Sequence, residues 1–298
     1  MKNVVKLFTA PIRLISNRIF IIIFINGFLL AMLVYFYTED NYENQIFKAL
    51  AVQIHQSTKS TETDSIILQS VKLTYDLEKF RLSVFGNKQI HSFKSDLIRP
   101  ITFDLMTGSG ACGSYSFVLS RLLNELNIKT RFAQMQVNGK YGGHIVIEAL
   151  SKYGWVVLDP SYDLSFKKSD GKLASFDDVK NNWSYFKNQV PAHYNLDYSY
   201  NNAQYTNWNK IPVIMPMVKQ ILTFTMGENE ASKISIRNLI LRKFSLLFKI
   251  TIGFYLFFTF LFIKIYIKQS KEIENFRLSI IFPKKKFEPV NPPSYQAA

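Results

Sequence analysis

A run of 19 residues without a charge, Ile19 to Tyr37 (IFIIIFINGFLLAMLVYFY), constrains this chain more than any other feature. As a helix it is long enough to cross a hydrocarbon core of ~30 Å. Ile250 to Ile263 is a second uncharged run near the other end. Lys249 and Lys264 flank it, and their long stems can snorkel toward the headgroups. The sequence therefore predicts transmembrane helices at 19–37 and 246–267. No small-residue cleavage pattern follows the first span before Glu39, so it reads as a retained anchor rather than a signal peptide.

The formal net charge of +14 would suit a nucleic-acid binder if it were spread over a folded surface. It is not. Residues 38–232 hold 20 Lys and Arg against 19 Asp and Glu, so nearly all the excess flanks the two apolar runs. Charge that hugs membrane segments reports topology, and nucleic acid drops out as a partner. Lys2, Lys6, Arg13 and Arg18 precede the first span, whereas Glu39, Asp40 and Glu43 follow it. That bias predicts a cytoplasmic N-terminus (1–18) and an extracytoplasmic domain (38–245). After the second span, Lys264 to Lys286 predict a basic, Pro-rich cytoplasmic tail (268–298). The expected location is a bacterial-type inner (plasma) membrane, with the domain periplasmic or extracellular.

Cys112 is the only cysteine. It follows a glycine-rich turn (Gly108-Ser109-Gly110-Ala111) and opens an apolar pattern of Tyr115, Val118, Leu119, Leu122, Leu123 and Leu126 at helical spacing. The thiol is thus expected in the first turn of a helix, where unpaired N–H groups and the helix dipole favour a thiolate. A lone cysteine outside the cytoplasm suggests a working thiol or an intermolecular partner. The four histidines, His55, His91, His144 and His193, lack zinc-ligand spacing, so neither a metal nor a cofactor is expected.

Asn41 to Gln56 reads as a helix leaving the membrane. Thr63 or Asp64 is expected to cap the next one, and Gly86-Asn87 to stop it. His91 to Met106 is ambiguous, because Pro100 forbids a continuous helix. After Asn127, three short strands are predicted: Lys129–Val137, His144–Ala149 and Trp155–Asp159. Asn138-Gly139 and Gly142-Gly143 separate the first two and Ser151–Gly154 the last two. A hairpin centred near residue 151.5 sets His144 directly opposite Asp159 on one face, while a slip of one residue would part them. Beyond Ser161 the chain is rich in aromatics that wall a cleft or cover the sheet. Ile211 to Met226 is apolar but too interrupted to span, and reads as buried or membrane-proximal.

A thiol at a helix start, a histidine on an adjoining strand and an acid facing that histidine form the arrangement of a nucleophilic thiol enzyme. The Cys112 N–H is placed to donate to an oxyanion. Over about 55 residues the chain resembles the transglutaminase-like superfamily. Gly110-Ala111-Cys112 matches its Gly-x-Cys element and Leu122-Leu123-x-x-Leu126 its helix. Ile128-x-x-Arg131 looks like the segment after it. His144-Ile145-Val146-Ile147-Glu148 resembles its histidine strand and Trp155-x-x-Leu158-Asp159-Pro160 its aspartate strand. The resemblance implies an α+β fold with a papain/transglutaminase-like core, flanked here by the two transmembrane helices. It also implies acyl transfer through a Cys112 thioester, with His144 as base then acid and Asp159 as its orienter. The substrate would be a protein or peptide amide, resolved by water or by an amine. Gln89 is the upstream candidate for a second oxyanion donor. Trp155 reads as core, Arg131 and Glu148 as surface or ion-pair residues, and Ser109 and Ser114 as turn and helix residues. The alternative is a non-catalytic transglutaminase-like module that scaffolds a cell-envelope or polysaccharide assembly.

Overall fold

The computed structural model describes residues 18–58, 60–86, 98–107, 111–236 and 243–281. Gln89, the glycine turn 108–110 with Ser109, and the tail from 282 onward lie outside the described residues. Helix α1 spans Arg18–Ser57, α2 Thr63–Phe85, α3 Ile101–Thr107 and α4 Cys112–Glu125. Strands β1 (Thr130–Val137), β2 (Lys140–Ser151), β3 (Gly154–Asp159) and β4 (Leu164–Ser165) follow. Then come α5 (Phe176–Asn181), α6 (Trp183–Phe186), β5 (Tyr198–Gln204), α7 (Ile214–Met226), α8 (Glu228–Ser232) and α9 (Phe244–Ile281). The fold is α+β, with an antiparallel sheet ordered β4-β3-β2-β1-β5.

The chain divides into two compact units, residues 18–36 with 247–281 and Tyr37–Leu246. In the first unit, α1 and α9 are each long and apolar enough to cross a membrane. Their side chains Phe24, Phe28, Phe254 and Phe260 are exposed. Thr259 donates a hydrogen bond of 2.9 Å to the Asn26 side chain.

In the second unit α4 lies on one face of the sheet. Val118, Leu119, Leu122 and Leu123 meet Phe132, Ile145, Ile147, Val156 and Leu158, and α2 adds Ile67 and Val71 to the same core. On the other face Ala133, Met135, Val146 and Val157 are covered by Phe166, Phe176, Val179, Phe186, Tyr194 and Tyr200. The alternation of Ile145 and Ile147 with Val146 along β2 is the period-two pattern of a strand buried on both faces.

Local chemistry explains most boundaries. α4 ends in a paired Schellman bond set, Ile128 N–H to Leu123 O at 2.8 Å and Asn127 N–H to Asn124 O at 3.1 Å. Asn127 takes the left-handed conformation there, with φ 60°. Asn138 and Gly139, with φ 50° and 76°, form the two-residue turn joining β1 to β2. Positive φ at both central positions is what a tight hairpin requires.

Three expectations need correction. Thr63 and Asp64 do not cap α2: Glu62 holds the cap position without a side-chain bond, and Asp64 accepts from the Ser151 hydroxyl instead. Gly142-Gly143 does not break the strand, because β2 runs through it from Lys140 to Ser151. The β2–β3 hairpin turns between Lys152 and Tyr153, with Ser151 paired to Gly154 and Ile147 to Leu158. Carried onward, that register puts Val146 rather than His144 across from Asp159. The error is two residues, an even slip, so His144 and Asp159 keep their shared face as diagonal neighbours.

Candidate active site

The sequence of α4 puts Cys112 at the first helical position. Ala111 precedes it in extended conformation, with φ −70° and ψ 147°, and supplies no side-chain cap. The first-turn N–H groups of a helix have no partner within the helix. Two bonds hold this end of α4 in place. Ser116 donates to the Ile145 carbonyl at 3.0 Å, and Ser114 donates to Glu78 of α2 at 3.1 Å. Glu78 is buried and pairs with Arg81, which also donates to the Asp104 carbonyl of α3. Burial pushes the Glu78 carboxyl up to about 7 against the pull of Arg81.

His144 is delivered by a distortion of the sheet. Pairing of β1 with β2 jumps from Met135–His144 to Gln136–Tyr141, and pairing of β1 with β5 jumps at the same point. Bulges of this kind re-aim side chains. Gly142 adopts φ +95°, and a Cβ on Gly143 would stand 2.6 Å from the Val137 side chain. The glycine pair is what lets β2 bulge immediately before His144.

The His144 Nε2 and Asp159 Oδ2 atoms are 2.6 Å apart, with both side chains almost wholly buried. The other carboxylate oxygen accepts the Ser161 N–H at 3.2 Å. With Nε2 committed to Asp159, Nδ1 is the ring nitrogen left for the thiol. The Cys112 thiol and the His144 ring are coupled electrostatically, each favouring the charged form of the other, and the Ile145 N–H also favours the thiolate. The three side chains singled out in the sequence thus come together. Burial alone would raise the thiol, but His144 and the Ile145 N–H bring its pKa below the ordinary 9.0. Burial alone would lower the imidazole, yet the Asp159 carboxylate overrides it and raises His144 to about 9. A thiolate–imidazolium pair is the state these shifts favour.

One participant was not legible in sequence. Tyr198, the first residue of β5, stacks flat on the His144 ring, with centroids 4.0 Å apart and planes 5° from parallel. Tyr162 meets the same ring edge-on at 6.1 Å. Behind them the Tyr194 and Tyr200 hydroxyls bond at 2.8 Å. A π face against an imidazolium is attractive, and this wall keeps water from the His144–Asp159 bond. Burial raises the Tyr198 hydroxyl above its ordinary value, so it stays neutral. The aromatic stretch announced packing; that Tyr198 belongs to His144 followed only from the pairing of β5 with β1.

The chain matches no family model, no curated protein and no solved structure. The site must be judged on its own geometry.

The remaining sequence candidates fall elsewhere. Arg131 binds Glu148 through two nitrogens, at 2.7 and 3.2 Å, and lies between the rings of Trp155 and Tyr205. These residues border a separate cavity of about 420 Å³. Arg131 and Glu148 are therefore an ion pair, as expected, while Trp155 stacks on that pair and lines the cavity. Among the described residues no three His, Cys, Asp or Glu side chains gather as metal ligands.

Proposed function

We propose that the Tyr37–Leu246 unit is a transglutaminase-like thiol enzyme acting on amide bonds of proteins or peptides. The observation that carries this reading is the buried His144–Asp159 pair, with 2.6 Å between Nε2 and Oδ2, beside the half-buried Cys112 thiol at the start of α4. In this mechanism the Cys112 thiolate attacks the amide carbonyl carbon. The oxyanion collects at the Cys112 N–H at the start of α4, the Ser114 N–H being taken by the Ala111 carbonyl at 2.8 Å. The imidazolium of His144 protonates the departing amine as the C–N bond breaks, leaving a thioester on Cys112. His144 then takes a proton from water or from a second amine as that nucleophile attacks. An acid or a new amide is released and the thiol returns. Asp159 holds the ring's orientation and tautomer throughout.

The two candidate membrane helices would anchor the enzyme, and the charge bias of the sequence favours both termini inside and the catalytic unit outside. The test uses the full chain in detergent. Ammonia release from glutamine peptides and incorporation of a fluorescent amine are measured for the native chain, Cys112→Ser and His144→Ala. Turnover by the native chain alone supports the reading, and the ratio of the two products tells hydrolysis from cross-linking. Equal turnover by Cys112→Ser would refute it.

A further inference from the structure

The segment from Ile211 to Met226 was expected to be buried or membrane-proximal. The structure removes the first option, since α7 contains no buried residue. Much of its exposed side is apolar, as is the half-buried flank beside it. Ile214, Met217, Ile221 and Phe224 recur at intervals of three and four, which puts them on one helical stripe. All four are exposed, Phe224 to 93%, and Val213 extends the patch at 78%. Met215, Val218 and Leu222, on the other side, are half-buried. A water-facing helix ordinarily shows the reverse pattern, and a contiguous apolar surface of this kind marks an interaction site.

We propose that α7 lies in the interfacial layer of a lipid bilayer, with the Ile214–Met217–Ile221–Phe224 stripe immersed among the acyl chains. The helix has 13 residues, a length of roughly 20 Å, too short to span a core of ~30 Å. It is suited to lying in the membrane plane. Charge points to the same occupant. The helix itself carries one charge, Lys219, and no acidic residue. Glu228 and Glu230 follow only beyond its end, so no carboxylate interrupts the stripe that would enter the acyl chains. Chain length agrees, because Met226 precedes Phe244, the start of candidate membrane helix α9, by 18 residues. That tether extends at most roughly 60 Å, so a chain held by α9 keeps α7 within reach of the bilayer. The inference does not depend on the chemistry at Cys112.

The test replaces the sole cysteine (Cys112→Ser) in the full chain. Single spin-labelled cysteines are then introduced by Ile214→Cys, Met217→Cys, Ile221→Cys and Phe224→Cys, with Asn201→Cys on exposed β5 as an aqueous control. The labelled chain is placed in nanodiscs of equal phosphatidylcholine and phosphatidylglycerol. Collision rates with oxygen, which partitions into lipid, and with a water-soluble nickel complex are compared. Oxygen dominating at all four stripe positions, and nickel at Asn201→Cys, is the expected result. Nickel dominating along the stripe would overturn the proposal. So would protection from both reagents, with dipolar broadening for a second copy of the chain or without it for another protein. Near-ultraviolet circular dichroism of each labelled chain excludes a spectrum from misfolded protein.

Discussion

Replacing Asp159 by Asn keeps the shape of the carboxyl group and removes its charge. The consequence follows from the balance at His144. Burial lowers that imidazole, yet its pKa is raised to about 9, with the charge and hydrogen bond of Asp159 the leading opposing influences. Relative to the ordinary 6.5 this is on the order of 3 kcal/mol in favour of the imidazolium. The sign runs as for any raised histidine: this contribution is whole below 6.5 and is lost as pH rises through about 9. The Cys112 thiol runs the other way, because its lowered pKa favours the fold at alkaline pH and the gain is lost as pH falls through that value. Thiolate and imidazolium coexist in the window between the two. At pH 8, a pKa of about 9 leaves about nine-tenths of the rings protonated, whereas one at or below 6.5 leaves about one-thirtieth. Asp159→Asn is therefore expected to cut the imidazolium population roughly thirty-fold at that pH. The assay is the rate of iodoacetamide alkylation against pH, unambiguous because Cys112 is the only cysteine. In the native chain labelling persists below pH 9; in Asp159→Asn it requires alkaline pH, where burial returns the thiol. An unchanged pH profile in the variant would refute the reasoning.

Two further substitutions probe how the site is held. Tyr198→Leu removes the ring stacked on His144 at 4.0 Å, a pair worth about 0.5–1.5 kcal/mol. The alkaline limb of the labelling profile should therefore move down by about 0.4–1.1 pH units, and alkylation of Cys112 at pH 8 should slow by up to about two-fold. Tyr198→Phe should restore the native rate and pH profile, and its failure to do so would assign the effect to the hydroxyl. Gly143→Ala forces a Cβ to within 2.6 Å of Val137, an overpacking that costs about 1–3 kcal/mol and lowers the midpoint of thermal unfolding. Val137→Gly, which removes both the Cγ2 and the Cβ that crowd this position at 2.6 and 2.7 Å, should recover part of that loss when combined with it, which a double-mutant cycle read by thermal denaturation checks.

What the sequence made legible, and what it concealed, has a physical pattern. Signals that act within a few residues read true. The apolar spacing after Cys112 is α4, Asn127 closes it with a positive φ, and Asn138-Gly139 forms the tight turn between β1 and β2. The parity of His144 and Asp159 also came through, because strands alternate with period two and the misplaced turn was off by an even number. Features set by distant partners did not read. Gly142-Gly143 looked like a break, since nothing local says that Val137 crowds Gly143 and leaves room only for a bulge. Asp64 looked like a cap, but Ser151 of β2 claims its carboxylate. Tyr198 was one aromatic among many until β5 paired with β1 beside His144.

The central claim is that Cys112 takes up an acyl group from an amide, and intact-mass spectrometry tests it most directly. The full chain is incubated with a glutamine-containing peptide, quenched in acid and weighed. The account predicts a mass increase equal to the peptide less ammonia, mapped to Cys112, discharged by hydroxylamine and missing from His144→Ala. A native chain whose mass never changes across a broad peptide set, or an adduct on another residue, would contradict it.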